Sequence, residues 1–234
     1  MKKMIVDERL FDEFPTAKIG VIVAIGMNNS KNPKVSDFFL SETEATVISK
    51  YSGYSMSEIE EIKTWRLAYR QLGINKKYKS SIEALMSRVV KGNPLPSINP
   101  LVDFYNSISL KFVMPCGSED LDKISGDVRL TFARGDEPFT EIGGEYQIFP
   151  DPNELIYRDD IGCLCRNWNW READRTKITE ETKNAIIVIE NIMSHKQTQF
   201  HEAVDRLNDL VKNHLKAETA VHYLDAFQHE IELI

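Results

Sequence analysis

The spacing of hydrophobic and polar positions alternates along the chain between the period of a strand and the period of a helix. Residues 17–27 form an apolar, β-rich run that is long enough for a buried strand. Helical spacing predicts helices over residues 41–51 and 57–72, and the second ends at Gly73, a residue type that terminates helices. The pattern therefore predicts an α/β (α+β) fold class.

Two further helices carry capping signals at their N-termini. Ser80 and Glu83 form a capping-box pair before a helix that closes at Gly92. Asn99 is a candidate N-cap, with Pro100 at the first helical position, where its missing N–H costs nothing. Both patterns predict where a helix begins.

The helix after Asn99 places a polar side chain close to a cysteine-containing turn. Its apolar residues recur at helical spacing, and this spacing puts Asn106 at the edge of the buried stripe. We predict a turn over residues 114–117, Met-Pro-Cys-Gly. An amide beside such a turn is more typical of the wall of a site than of plain scaffold.

The second half of the chain contains shorter elements. Turn residues separate five predicted strands, at residues 127–133, 145–149, 155–158, 162–166 and 184–189. Apolar residues between 200 and 215 keep a helical period, which predicts a long amphipathic helix. We expect one domain over residues 1–234, in which a strand-rich core of residues 80–192 is flanked by segments 1–79 and 193–234.

Composition excludes several classes of protein. The 234 residues are 42% hydrophobic, enough for a proper core, and contain no run of about 18 apolar residues that could span a membrane. The start, MKKMIVDERLF, has no apolar stretch behind its lysines, so we do not expect secretion. Three cysteines are an odd number for a disulfide framework and favour a reducing, cytoplasmic location.

The charge is unevenly distributed. The net charge is −7, which argues against a general nucleic-acid binder. Residues 62–91 nevertheless carry eight cations against the single carboxylate of Glu83, a net +7 that leaves −14 for the rest of the chain. This window fits contact with a phosphate backbone, although solvated helix faces would explain it equally well. The candidate RNA-binding cations are Lys63, Arg66, Arg70, Lys76, Lys77, Lys79, Arg88 and Lys91.

Candidate chemistry is sparse outside the carboxylates. All five histidines lie in the last forty residues, so acid–base work in the core would fall to carboxylates, water or the substrate. Cys163 and Cys165 share one face of a predicted strand, and Cys116 is distant in sequence, so we predict buried thiols, no metal site and no cofactor. No histidine stands near Cys116 in sequence, which disfavours it as a nucleophile.

Two tryptophans lie in an arginine- and asparagine-rich segment, residues 166–171. If the preceding strand continues, alternation puts Trp168 and Trp170 on one face, where they could stack on a base or an aromatic ligand. The alternative is an aromatic pair that closes the core.

Several segments, in order, resemble one known family. Residues 102–106 read V-D-F-Y-N, Pro115 follows nine positions later, and residues 120–123 read D-L-D-K. This series resembles the V-D-x-x-N helix, Q-P-x-H turn and D-L-D-K of the B3/B4 domain in the bacterial phenylalanyl-tRNA synthetase beta subunit. A-R-G-D-E at 133–137 and T-E-E-T-K-N at 179–184 resemble later elements of the same domain.

The resemblance covers about residues 80–192, and the remainder resembles free-standing B3/B4 proteins. It implies an α/β fold with an editing pocket that hydrolyses the ester of wrongly charged tRNA. Asn106 and Glu137 are then the candidate catalytic residues, although Glu137 matches no family glutamate clearly. The candidate substrate-binding residues are Tyr105, Pro115, Cys116, Gly117 and Ser118. The family's pocket histidine falls at Gly117, so this chain departs from the pattern there.

Two functions remain open at this point, and both imply tRNA or another RNA as partner. In the first, the protein hydrolyses aminoacyl-tRNA in trans, with water polarised by Asn106 and by backbone N–H groups of residues 116–118. In the second, a non-catalytic module binds an amino acid or an RNA end, and the replacement of the histidine by Gly117 favours this reading. The oligomeric state is not predicted.

Overall fold

The computed structural model describes residues 2–30 and 33–233, and these residues form ten strands and six α-helices. The strands fall into one six-stranded and one four-stranded sheet, with helices packed against them. The predicted α/β (α+β) fold class is therefore confirmed. Within these residues no helix is both long and apolar enough to cross a membrane.

The four-stranded sheet is antiparallel and has the order β3-β8-β2-β9. Its strands are β2 (Lys18–Ile25), β3 (Cys116–Asp120), β8 (Ala185–Asn191) and β9 (Glu218–Leu224). The apolar run over residues 19–25 of β2 suits its place in the sheet, because apolar clusters cover both of its faces. β3 is left at one edge.

The six-stranded sheet has the order β10-β1-β4-β5-β6-β7. Its strands are β1 (Lys3–Val6), β4 (Val128–Phe132), β5 (Leu155–Arg158), β6 (Cys163–Arg166), β7 (Arg171–Glu172) and β10 (Glu230–Glu232). Only β1 and β4 are parallel. Segments near both chain ends thus supply strands to the sheets that the middle of the chain builds.

The helices are α1 (Glu8–Glu13), α2 (Pro33–Tyr51), α3 (Glu60–Gln71), α4 (Ser81–Val90), α5 (Pro100–Phe112) and α6 (Gln197–Leu215). The predicted caps are confirmed. Ser80 Oγ accepts the N–H of Glu83 at 3.3 Å, and Asn99 Oδ1 accepts the N–H of Val102 at 3.1 Å. These contacts are local, which explains why the sequence alone predicted them.

Two apolar clusters lie on opposite faces of the four-stranded sheet. Ile22 and Ile187 belong to the cluster beneath α5 and α6, whereas Val21 and Ile186 belong to the other one. This division follows from the two-residue period of a strand. Gly20 permits the close approach of α6, because a Cβ there would lie 2.4 Å from Val204 Cγ2.

Two local predictions are wrong. Residues 145–149 form no strand: all five are exposed, and within the described chain they contribute one β-bridge, between Ile148 and Phe139. The predicted turn at 114–117 ends early, because Cys116 and Gly117 already pair with β8. The strand predicted at 162–166 is confirmed as β6, but it does not continue through residue 171.

The break after β6 is a left-handed turn. Asn167 and Trp168 have φ values of 48° and 65°, and the chain resumes as β7 only at Arg171. Trp168 is consequently buried against Trp65, with ring centroids 4.8 Å apart, so the two tryptophans do not share a strand face.

Candidate functional site

A cavity of about 260 Å³ lies where edges of the two sheets meet. β3 and β7 are edge strands of their respective sheets, and they approach at Ser118, whose N–H lies 3.4 Å from Oε1 of Glu172. Residues of α4, α5, β8 and the β6–β7 turn complete the wall. Because an edge strand carries backbone groups that its sheet does not pair, peptide donors and acceptors border the cavity.

The structure brings together five of the seven predicted pocket residues. The cavity is lined by Tyr105, Asn106, Cys116, Gly117 and Ser118. Asn106 is half-buried on α5, at the edge of the apolar stripe as its helical position predicts.

Pro115 and Glu137 do not line the cavity. The carbonyl of Pro115 accepts the N–H of Glu190 at 3.0 Å and so extends the pairing of β3 with β8. Glu137 is buried elsewhere and accepts the N–H groups of Arg134 and Gly135, each at 3.0 Å. Burial opposes its ionisation, but these hydrogen bonds hold the pKa of Glu137 below its ordinary value. Its contacts are those of a residue that fixes the turn.

Sequence reasoning missed three carboxylates in the cavity wall: Glu119 of β3, Glu172 of β7 and Glu190 of β8. A signal existed for Glu190, since it follows five consecutive apolar residues of a buried strand. A carboxylate inside such a run is seldom buried unless it is paired or protonated. No comparable signal marked Glu172, which reaches the cavity only because β7 lies beside β3.

Glu190 is the most fully bonded of the three. Its Oε1 accepts from the hydroxyl of Tyr157 at 2.5 Å and from Nε1 of Trp168 at 2.8 Å, and its Oε2 accepts from Nδ2 of Asn169 at 2.6 Å. Burial raises the pKa of Glu190 to about 7 in spite of these donors. The carboxyl therefore titrates near neutral pH within a fixed frame.

Glu172 occupies space that Gly117 leaves open. A Cβ built on Gly117 would lie 3.0 Å from Oε1 of Glu172, closer than side chains ordinarily pack. Burial raises the pKa of Glu172 to about 7, against the opposing effect of the Ser118 N–H. The missing side chain at position 117 and the position of this carboxylate are thus physically linked.

Glu119 faces the same cavity with one oxygen unused. Burial, and next the nearby carboxylate of Glu172, raise the pKa of Glu119 well above its ordinary value. Its Oε2 has no hydrogen-bond partner among the described residues, and the same holds for the hydroxyls of Ser81 and Ser118. Since buried polar atoms are nearly always paired, three unpaired atoms around one cavity indicate a polar ligand or water.

A second, wider concavity of about 730 Å³ lies between α3 and α4, and we call it the basic groove. Four of the eight predicted RNA-binding cations line it: Arg66, Arg70, Lys76 and Lys79. The other four are exposed outside it: Lys63, Lys77, Arg88 and Lys91. Arg66 pairs with Glu83 at 2.7 Å, which partly neutralises one end of the groove.

The basic groove and the cavity share a wall. Tyr78 of the groove packs against Trp170 of the cavity, with ring centroids 4.2 Å apart. The hydroxyl of Tyr69, also in the groove, lies 2.9 Å from Oδ1 of Asn169, whose amide nitrogen donates to Glu190. A polymer bound in the groove would therefore run beside the cavity.

The cysteines and histidines are not arranged to act as nucleophiles or metal ligands at the cavity. All three thiols are buried and unpaired, and burial raises the pKa of each. A thiol with a raised pKa is a weak nucleophile. None of the five histidines lines the cavity, and the described residues contain no cluster suited to a metal ion.

Comparison of the chain with known proteins identifies its family. Residues 64–225 match the model of the B3/4 domain. Two curated relatives are phenylalanine–tRNA ligase beta subunits, each 28% identical: over 86 residues in Shewanella oneidensis and over 115 residues in Fusobacterium nucleatum subsp. nucleatum. These matches span 37% and 49% of this chain but only 11% and 14% of the relatives.

A solved structure, an N-terminal fragment of the phenylalanyl-tRNA synthetase beta subunit from Pyrococcus horikoshii, aligns with a TM-score of 0.46 and 12% identity. The alignment covers 92% of this chain and 49% of the fragment. The family match itself extends over most of the chain, including both the groove and the cavity. The chain belongs to the B3/4 domain family.

Proposed function

We propose that this protein binds the aminoacylated end of a tRNA and hydrolyses its ester in trans. The basic groove holds the phosphate backbone, and the adjacent cavity receives the aminoacyl group. The observation that carries the proposal is the wall shared by a cation-lined groove and a cavity with buried carboxylates. The family's relatives among the phenylalanine–tRNA ligase beta subunits support tRNA as the RNA.

The lining of the cavity suits an amino acid better than a nucleotide phosphate. Apolar residues of α4 and β8 supply much of the wall, including Leu85, Ile186 and Val188. The negative charge that the carboxyl groups of the cavity keep at neutral pH repels phosphate and attracts the ammonium of an aminoacyl group. We therefore assign the aminoacyl moiety to the cavity and the phosphates to the groove.

Ester hydrolysis needs a donor to the oxyanion that forms as water attacks the carbonyl carbon. The amide of Asn106 and the N–H groups at the edge of β3 border the cavity and could supply it. One preorganised donor contributes on the order of 3 kcal/mol of transition-state stabilisation. Asn106 thus has a role that binding of uncharged RNA does not require.

A second candidate function is binding without hydrolysis. It is favoured by Gly117, which brings no side-chain base, and by the Ser118 N–H, which already donates to Glu172. Such a module would retain an amino acid or an RNA end in the cavity. The two candidates differ in one measurable product, the released amino acid.

The experiment screens deacylation of several mischarged tRNAs beside filter binding of uncharged tRNA. Wild type should release amino acid, and Asn106→Ala should lower that rate about a hundredfold while tRNA affinity changes less than about threefold. The exposed helical variant Asn213→Ala is the matched control. Binding without release on any tRNA would favour the second candidate, and no binding would remove both.

The proposed activity implies a cytoplasmic location, where charged tRNA is used. Three cysteines that form no disulfide agree with this proposal. We further propose that residues 1–234 act as one domain, since both ends of the chain contribute strands to the two sheets.

A further inference from the structure

The cavity holds two carboxyl groups that the proposed role of Asn106 does not use. Glu172 enters from β7 and Glu119 from β3, so each comes from a different sheet. A side chain at residue 117 would crowd Glu172, because a Cβ there would lie 3.0 Å from its Oε1. The two carboxyl groups are therefore brought together by the contact between the two sheets.

An unpaired oxygen of this pair is turned toward a space that a ligand or water must fill. Glu119 is 9% exposed, and its Oε2 has no partner among the described residues. A water molecule held at this oxygen would complete its hydrogen bonding.

We propose that Glu172 is the general base of the hydrolysis and that Glu119 is a positioning residue that shares one proton with it. This inference rests on the proposed function. Two carboxyl groups in one apolar cavity do not both ionise at neutral pH, so the pair holds one proton and one negative charge. The charged member accepts a proton from water, and the protonated member keeps it oriented.

The step conserves atoms and charge. Glu172 takes a proton from water as the water oxygen bonds to the ester carbonyl carbon. The bond between that carbon and the ribose oxygen then breaks, and the ribose oxygen takes the proton back from Glu172. The products are a free amino acid and a tRNA with its terminal hydroxyl restored, and the pair returns to its starting state.

Other charged or titratable groups surround the pair on every side. Tyr105 and Cys116 flank it from α5 and β3, and Cys165 does so from β6. Arg175 and Asp159 act on Glu119 with opposite signs. Across the cavity is Glu190, and Arg171 stands at the rim beside Glu141. Glu119 shares a face of β3 with Gly117, and the Oε1 of Glu172 lies over that glycine, so the two carboxyl groups stand on the same side of the strand.

The first arm of the test measures single-turnover deacylation between pH 5 and 9. Wild-type rates should rise through about pH 7 to a plateau, and Glu172→Gln should lower the plateau about a hundredfold with little change in tRNA affinity. Gly117→Ala, which crowds the carboxylate, should lower it less. The exposed Glu181→Gln is the matched control.

The second arm does not depend on activity. Carboxyl carbons of ¹³C-labelled glutamate are titrated by NMR in wild type and in Glu172→Gln. Glu119 loses its proton beside the charge of Glu172, so removal of that charge should lower the titration midpoint of Glu119 by about one pH unit.

Three results would overturn the inference: a Glu172→Gln enzyme with wild-type rates, an unmoved Glu119 midpoint in Glu172→Gln, or a wild type without deacylation. The last also ends the proposed function, whereas the first two leave that function standing. The proposal thus fails separately from the function on which it rests.

Discussion

The cavity and the basic groove share a wall but differ in how they hold charge. Burial raises the pKa of all three carboxyl groups of the cavity, in two of them to about 7. The cations of the groove are exposed, and among the described residues Arg66 and Lys79 pair with one carboxylate, that of Glu83. Burial sets the charge state of the cavity carboxyl groups, whereas the groove cations are surrounded by solvent.

This difference predicts two separable dependences. Exposed charges are screened by salt within about 10 Å at 0.1 M ionic strength, whereas buried groups are screened much less. Binding in the groove should therefore respond to salt, and chemistry in the cavity should respond to pH. The following changes test that separation, beginning with the largest effect.

Glu190→Ala should have the largest effect, a loss of about 3 kcal/mol in the free energy of unfolding. The change leaves the donors of Tyr157, Trp168 and Asn169 without their acceptor in a buried place. Urea unfolding at pH 7 measures it, with exposed Glu181→Ala as control. A loss below about 1 kcal/mol would mean that the network contributes little to the cavity wall.

Reversing Arg70, Lys76 and Lys79 to Glu should weaken tRNA binding about thirtyfold and flatten its salt dependence. These three cations line the basic groove. The matched control reverses three exposed lysines that line neither region, Lys50, Lys183 and Lys212. Equal losses in both variants would show that net charge acts rather than the groove.

The free energy of unfolding should fall by on the order of 2 kcal/mol for each of two carboxyl groups as pH rises from 5 to 8. Glu172 and Glu190 titrate near 7 when folded and near 4.5 when unfolded, so the folded chain binds more protons within that window. Rising pH then removes protons mainly from the folded state. Glu190→Gln should reduce the slope, and an unchanged slope would contradict the raised pKa.

Tyr69→Phe should have the smallest effect, about 1 kcal/mol of stability. It removes the hydroxyl that joins the groove to Asn169, and through Asn169 to Glu190. If the two regions act separately, the variant should change neither the pH profile of deacylation nor the salt dependence of binding. Comparison of both profiles with wild type decides this.

The sequence predicted well wherever the determining contact is local. The caps at Ser80 and Asn99 and the buried runs of β2 and β8 follow from neighbouring residues, and the structure agrees. Asn106 was placed correctly because a helical period fixes its face. The strand at 145–149 failed since its residues lack a packing partner, which no local pattern reveals.

The cavity was only half predictable. Tyr105, Asn106 and Gly117 lie within one short segment, so they could be recognised together. Glu172 is 55 residues after Gly117 and meets it solely through the contact between the two sheets. Glu137 was chosen as the carboxylate, but its hydrogen bonds serve its own turn. Contacts between strands distant in sequence, rather than composition, determine which carboxylates line the cavity.

Photo-crosslinking tests the central claim most directly, that the groove and the cavity together hold one aminoacylated RNA end. The probe is a tRNA whose 3′ end carries benzoylphenylalanine through a stable amide, and crosslinked peptides are identified by mass spectrometry. We expect crosslinks at residues 105–106 and 168–172, lost on reversal of Arg70, Lys76 and Lys79. Crosslinks confined to other surfaces would contradict the claim.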